Sequence, residues 1–293
     1  MQKRRLGRTG LMVSPIALGG ASLGYRHKSA AWDPYTDEGR AAVVRTINHA
    51  IDSGVNYLDT APLYGNGHSE SLIGEVMKTR RQEVVLATKA WFELDRQGVI
   101  DCVHGSLKRL NTEYIDIVQI HGRMYTQADF DRVTGDNGPL QALRELRDAG
   151  KIGHIGITTD EPWTTIQFLP IQDISVYQIA YNFIYQAAAR HFLIEAAKVD
   201  AGVVTMRTMT SGVLQRAASY LAPEWQAAHD LYDVSLKFVL SDSRVASGLI
   251  SMRFPEEVDL NVGIATNWKP PIDFAQLPRL TFQVYEAEDA DNA

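Results

Sequence analysis

A chain of 293 residues, 45% hydrophobic and 22% charged, can bury a sizeable core and allows one or two domains on length alone. Its net charge of −6 argues against a nucleic-acid partner or an anionic membrane surface, and no stretch approaches the roughly eighteen unbroken apolar residues of a membrane span. The single cysteine, Cys102, excludes an internal disulfide and a cysteine-built metal site, and no apolar signal core follows the basic residues 1–5, so a cytoplasmic protein without a metal is expected. In chain order, residues 4–13 precede the first strand and read as a hairpin turning near Thr9-Gly10. Apolar runs of buried-strand length then fall at residues 15–18, 55–58, 84–87, 115–120, 152–157, 174–179, 202–206 and 248–251. Helical periodicity lies between them, over 37–51 with Val43, Val44, Ile47 and Ile51, over 70–77, over 98–110 and over 139–149, closed by Gly150. Further helices are expected over 228–240 and from Pro255, and residues 122–137 read as a long loop.

Eight strand-to-helix alternations without a composition break predict one domain over residues 1–293. The expected architecture is an α/β fold, a (β/α)₈ TIM barrel with the N-terminal β-hairpin plugging its bottom. An open doubly wound sheet is disfavoured, because Leu18-Gly-Gly-Ala-Ser-Leu-Gly24 has its glycines at the wrong spacing for a dinucleotide fingerprint. The acidic residues 286–293 read as a solvated, poorly ordered tail.

Three successive strands each end in a titratable residue. The run at 55–58 ends in Asp59, with Tyr64 five positions later; the run at 84–88 ends in Lys89; the run at 115–120 ends in His121. Each has an ordinary structural use alone, as a turn cap, loop packing or a satisfied interior group. Together, at the carboxyl ends of consecutive barrel strands where chemistry occurs, they form a proton-transfer constellation.

The stretch Leu58-Asp-Thr-Ala-Pro-Leu-Tyr-Gly65, with Glu70 and Ile73-Gly74 behind it, resembles the signature of the aldo-keto reductases. Ala87-Thr-Lys89, Gln119-Ile-His121, Leu6-Gly-Arg-Thr-Gly-Leu-Met-Val-Ser14 and Gly150-Lys-Ile-Gly-His-Ile-Gly156 resemble other motifs of that family, so the likeness runs from about Arg4 to about Asn261. It implies NAD(P)-dependent interconversion of a carbonyl (aldehyde, ketone or sugar) and an alcohol. Tyr64 would be the general acid and base, assisted by Lys89, Asp59 and His121. It also implies a dinucleotide held by Gly20, Asp59, Thr158, Thr159, Gln178, Met206, Arg207, Met209, Arg253, Glu257 and Asn261, with capping as the alternative use of Gln178 and Asn261.

Departures from the family pattern stand at Thr158-Thr159, where Ser-Asn is usual, at Met206, where an aromatic is usual, and at Arg207-Thr208, where Ser-Pro is usual. Arg253 favours NADP(H) over NAD(H), while Glu257 opposes the extra phosphate. The loops after the early strands supply Tyr25, His27, Trp32, Trp91, Phe92, Arg123, Met124 and Tyr125; of these, Tyr25, Trp32, Trp91 and Arg123 are the expected substrate contacts, in a pocket expected to be fairly open because no extra aromatic loop follows Asn261 except residues 270–285. Three rival readings share these residues: a sugar dehydrogenase running oxidatively, a cofactor-sensing regulatory subunit on the same barrel, and a Schiff-base enzyme built on Lys89. The sequence carries no signal for oligomeric state.

Overall fold

The computed structural model describes residues 1–26, 32–221 and 223–267. His27 and the expectations for residues 270–285 and 286–293 therefore lie outside the described residues. Strands β1 (Arg4–Arg5) and β2 (Met12–Val13) pair antiparallel as a short hairpin. Eight parallel strands follow: β3 (Ile16–Gly19), β4 (Tyr57–Asp59), β5 (Val85–Trp91), β6 (Ile115–His121), β7 (Ile152–Thr159), β8 (Ile174–Ala180), β9 (Gly202–Met206) and β10 (Ser247–Ile250). They close in sequence order, β10 pairing back onto β3, and the (β/α)₈ barrel expected from the alternation is the observed fold.

Alternation along each strand divides the core in two. Val85 and Ala87, Ile117, Tyr57, Val176 and Val204 point inward and pack with Leu6 and Val13 of the hairpin. Leu58, Leu86, Val118, Ile120, Ile155, Ile157 and Tyr177 point outward into the larger layer between barrel and helices. Leu6 is fully buried, so the hairpin closes the amino-terminal mouth with an apolar plug. Arg4 and Arg8 fasten it, Arg4 donating to the carbonyls of Leu240 and Val245 and Arg8 to that of Val199. Gly7 turns at φ +49°, and a Cβ there would lie 2.2 Å from the Gly202 amide, so only glycine lets the hairpin seat this deeply.

The helices start where their caps dictate. Thr36 accepts from the Gly39 amide at the head of Asp37–Asp52, Asp95 from Gly98 at the head of Arg96–Arg109, and Asp230 from two amides at the head of Leu231–Ser241. The segment expected as one long loop, 122–137, contains the helix Gln127–Thr134, started by a capping box between Thr126 and Asp129. Short helices Phe192–Lys198 and Val213–Leu221 also stand where no helix was expected. Among the described residues no helix is long and apolar enough to cross a membrane.

Candidate active site

The period of two that lines the lower barrel with Val85, Ala87, Tyr57, Ile117 and Val176 carries Asp59, Lys89, Gln119, His121 and Gln178 onto the same inward face higher up. Register then sets neighbours: Asp59 lies opposite Ala87, Lys89 opposite Gln119, and His121 opposite Trp91 on one side and Thr158 on the other. An apolar floor thus gives way to a polar layer at the carboxyl ends of the strands.

Lys89 is 1% exposed, and its ammonium donates to Asp59 Oδ2 at 2.6 Å and to the Thr60 carbonyl at 2.8 Å. It also lies 4.9 Å from the centre of the Tyr64 ring. Tyr64 stands edge to face with His121 at 6.1 Å between ring centres. The four expected catalytic residues are therefore in one cluster. Burial works against the Lys89 charge, but Asp59 and Tyr64 outweigh it and its pKa is raised. Burial likewise pushes the Asp59 carboxyl up, with Lys89, Gln119 and Gln178 pulling the other way. For Tyr64 the expected lowering by Lys89 acts, yet burial is the larger effect and leaves the phenol above its ordinary value. His121 is driven down to about 3 by burial, by Lys89 and by Arg123, so its imidazole is neutral.

Behind the cluster, Glu70 is fully buried and accepts from Thr88 Oγ1 and Arg109 Nε, each at 2.6 Å. Its place in the signature is thus structural, pinning the helix His68–Arg80 to β5 next to Lys89. Gly20 donates its amide to the Asp59 carbonyl at 2.7 Å, and a Cβ on it would strike that oxygen and Ser69 Oγ at 2.7 Å each.

The remaining expected contacts divide. Gln178 is buried in the polar layer, its Oε1 accepting from Gln119 Nε2 at 3.1 Å. Arg253 and Glu257 pair at 3.4 Å, the same carboxylate accepting the Arg253 amide at 2.6 Å, and Asn261 donates to the Glu257 carbonyl. Met206 ends β9 against the interior cluster, and Met209 packs on the outer core. Thr158 and Thr159 are already committed: Thr158 Oγ1 joins the backbone of Gly122, and Thr159 Oγ1 the carbonyls of Arg123 and Glu161. By alternation Thr159 falls on the outward side with Ile155 and Ile157. Arg207, expected as a cation on the pyrophosphate path, is instead ion-paired with Asp160 at 2.8 Å, in a left-handed conformation with φ +56°.

Around the mouth, Tyr25 is half exposed with its ring 6.4 Å from that of Tyr64. Trp91 stands edge to face with His121 at 5.5 Å, and exposed Arg123 acts on His121 through its charge. Trp32 corrects the expectation of a substrate contact: it is 2% exposed, edge-on to Phe254 in the core. Tyr125 is core as well, its hydroxyl bonded to the carbonyls of Ile120 and Thr158. Two residues that sequence reasoning left without a role enter the site, Asp160 and Gln119. Gln119 had a signal, standing two positions before His121 and so on the same strand face.

A model of the aldo/keto reductase family matches residues 15–280. The chain is 28% identical to pyridoxal 4-dehydrogenase of Microbacterium luteolum, over 89% of this chain and 92% of that protein. It is 33% identical to the oxidoreductase YqkF of Bacillus subtilis over 55% of this chain, an alignment that spans only half of YqkF. In structure it resembles the holo form of the aldo-keto reductase AKR11C1 from Bacillus halodurans, with a TM-score of 0.77, 25% identity and 93% of both chains covered. With this match over most of the chain, on a barrel whose strand ends converge as described, the protein belongs to the aldo/keto reductase family of NAD(P)H-dependent oxidoreductases.

Proposed function

We propose that the protein reduces a small aldehyde, ketone or sugar carbonyl with NADPH in preference to NADH, and oxidises the corresponding alcohol in reverse. The observation that carries this reading is the buried Lys89 ammonium, held 2.6 Å from Asp59 and 4.9 Å from the Tyr64 ring. The residues present suit a nicotinamide dinucleotide. Asn261 Oδ1 is a buried acceptor without a partner among the described residues, suited to an amino donor, and Arg253, paired with Glu257, would turn its cation toward an extra phosphate. Gln178, in the polar layer and bonded to Asp59, would serve the nicotinamide end.

When bound, the dinucleotide supplies or accepts the hydride at the carbonyl carbon. Tyr64 then gives the proton to the carbonyl oxygen, and its raised pKa keeps that proton in place until the oxygen becomes basic. Lys89 stabilises the phenolate left behind, and Asp59 keeps the buried lysine charged. Neutral His121 donates its one ring N–H to the same oxygen and orients it. The hydroxyls of Thr158 and Thr159 are engaged with backbone groups of Gly122, Arg123 and Glu161.

Fluorescence titration with NADPH and NADH, followed by turnover on pyridoxal, aryl aldehydes and sugars, tests the assignment. Tyr64→Phe should keep dinucleotide binding and lose turnover by ~100-fold or more. Turnover retained by the phenylalanine variant would remove Tyr64 as the acid. Binding without turnover of any carbonyl or alcohol would favour the regulatory reading, and absence of binding would overturn both.

A further inference from the structure

Gln119 is fully buried in the barrel and is bonded at both ends of the polar layer. Its Nε2 donates to Asp59 Oδ1 at 3.1 Å and to Gln178 Oε1 at 3.1 Å. Its own Oε1 has no partner among the described residues. That unmet acceptor is costly in an apolar barrel, where a methionine or leucine would pack without it. The opposite amide orientation would satisfy no better, since it would aim Oε1 at a carboxylate. The side chain is thus held for its donor, not for packing. Room is provided for it: Gly156 is its register partner on β7, and a Cβ at 156 would lie 2.9 Å from Gln119 Cγ.

We propose that Gln119 is a positioning residue for the proton-transfer cluster, linking Gln178 to Asp59 and thereby setting the acidity of Tyr64. The proposal rests on the reductase reading above and adds the route by which the nicotinamide end of the site acts on the acid. By sharing the charge of Asp59, the Gln119 N–H limits how far that carboxylate neutralises Lys89. Lys89 then retains more of its pull on the Tyr64 phenolate. Loss of the donor concentrates charge on Asp59, offsets Lys89 more completely and makes Tyr64 a weaker acid.

Gln119→Met keeps the shape and removes the donor. It should lower kcat about tenfold, the scale of one hydrogen bond to a charged group, with KM and dinucleotide affinity within about threefold. The limb of the pH profile that reports Tyr64 should move to higher pH, a change that a space-filling role would not cause. In the wild-type protein, the Gln119 side-chain amide, assigned by NMR through its backbone, should shift in step with the Tyr64 ring carbon during a pH titration. This second readout needs neither turnover nor a folded variant, so it decides the coupling even if no carbonyl is reduced. A wild-type-like pH limb in Gln119→Met, or an amide that stays still while Tyr64 titrates, overturns the proposal.

Discussion

Lys89→Met is expected to lower folding stability by ~3–5 kcal/mol and carbonyl turnover by at least ~100-fold, because one substitution strips both Asp59 and Tyr64 of their cation. Asp59 is 2% exposed, and in the variant only the amides around it would hold its charge. A buried carboxylate in that position takes up a proton, so its folded pKa rises further above the unfolded value. A raised carboxyl contributes stability below its unfolded pKa and loses it as pH rises, so the deficit against wild type should grow from about pH 4 upward. Denaturant melts of both proteins across that range give the comparison. The double variant Asp59→Asn, Lys89→Met should recover much of the stability and none of the turnover. If the double variant recovered turnover, the cation would be structural and the role given to Lys89 would be wrong.

The pair illustrates why the cluster is built as it is. An isolated ammonium inside a barrel would be lost to desolvation, and an isolated carboxylate likewise. Paired, and bonded to Thr60 and Gln119, each survives in a layer whose floor is apolar. What remains of the positive field faces Tyr64. The His121 ring stands edge to face with Tyr64 there, with Tyr25 beside Tyr64 and Trp91 against His121.

Much of this is legible in the sequence. Buried runs of four to six residues alternating with helices, three of them in succession ending in a titratable residue, announce a parallel barrel and its working end. The hairpin follows from an extra polar segment ahead of the first strand. Local chemistry could also have found the helix Gln127–Thr134, since Thr126 and Asp129 stand at capping-box spacing; the acid there is Asp rather than the usual Glu. Trp32 and Tyr125 could not be placed by sequence, because an aromatic in a loop reads alike whether it lines a pocket or fills the core. Burial of those rings depends on Phe254 and Phe168, far along the chain. The Arg207–Asp160 pair joins loops after different strands and has no local signature. For Tyr64 the obstacle was magnitude: sequence names the cation beside it, while only the packed structure shows burial to be the larger influence.

His121 should make the wild-type protein lose stability on mild acidification more steeply than a His121→Asn variant. Its folded pKa is about 3, against an ordinary value of 6.5 that the unfolded chain retains. The unfolded state therefore binds the extra proton first. The sign follows: the contribution of the neutral imidazole is complete above pH 6.5 and is lost progressively as pH falls from there toward the folded value. Burial opposes protonation of the ring, and the charged groups acting on it are the cations Lys89 and Arg123, with Tyr64 and Trp91 packed against it. Between about pH 6 and 4 the difference in slope should approach ~1.4 kcal/mol per pH unit, the full value for one proton. Carboxylates titrating in the same range contribute equally to both proteins and cancel in the difference. Parallel curves would mean that the imidazole is solvated enough to protonate in place, and a protonated ring would make His121 a charged partner of the carbonyl oxygen instead of a neutral donor. The same measurement thus decides the charge state in which His121 meets the substrate.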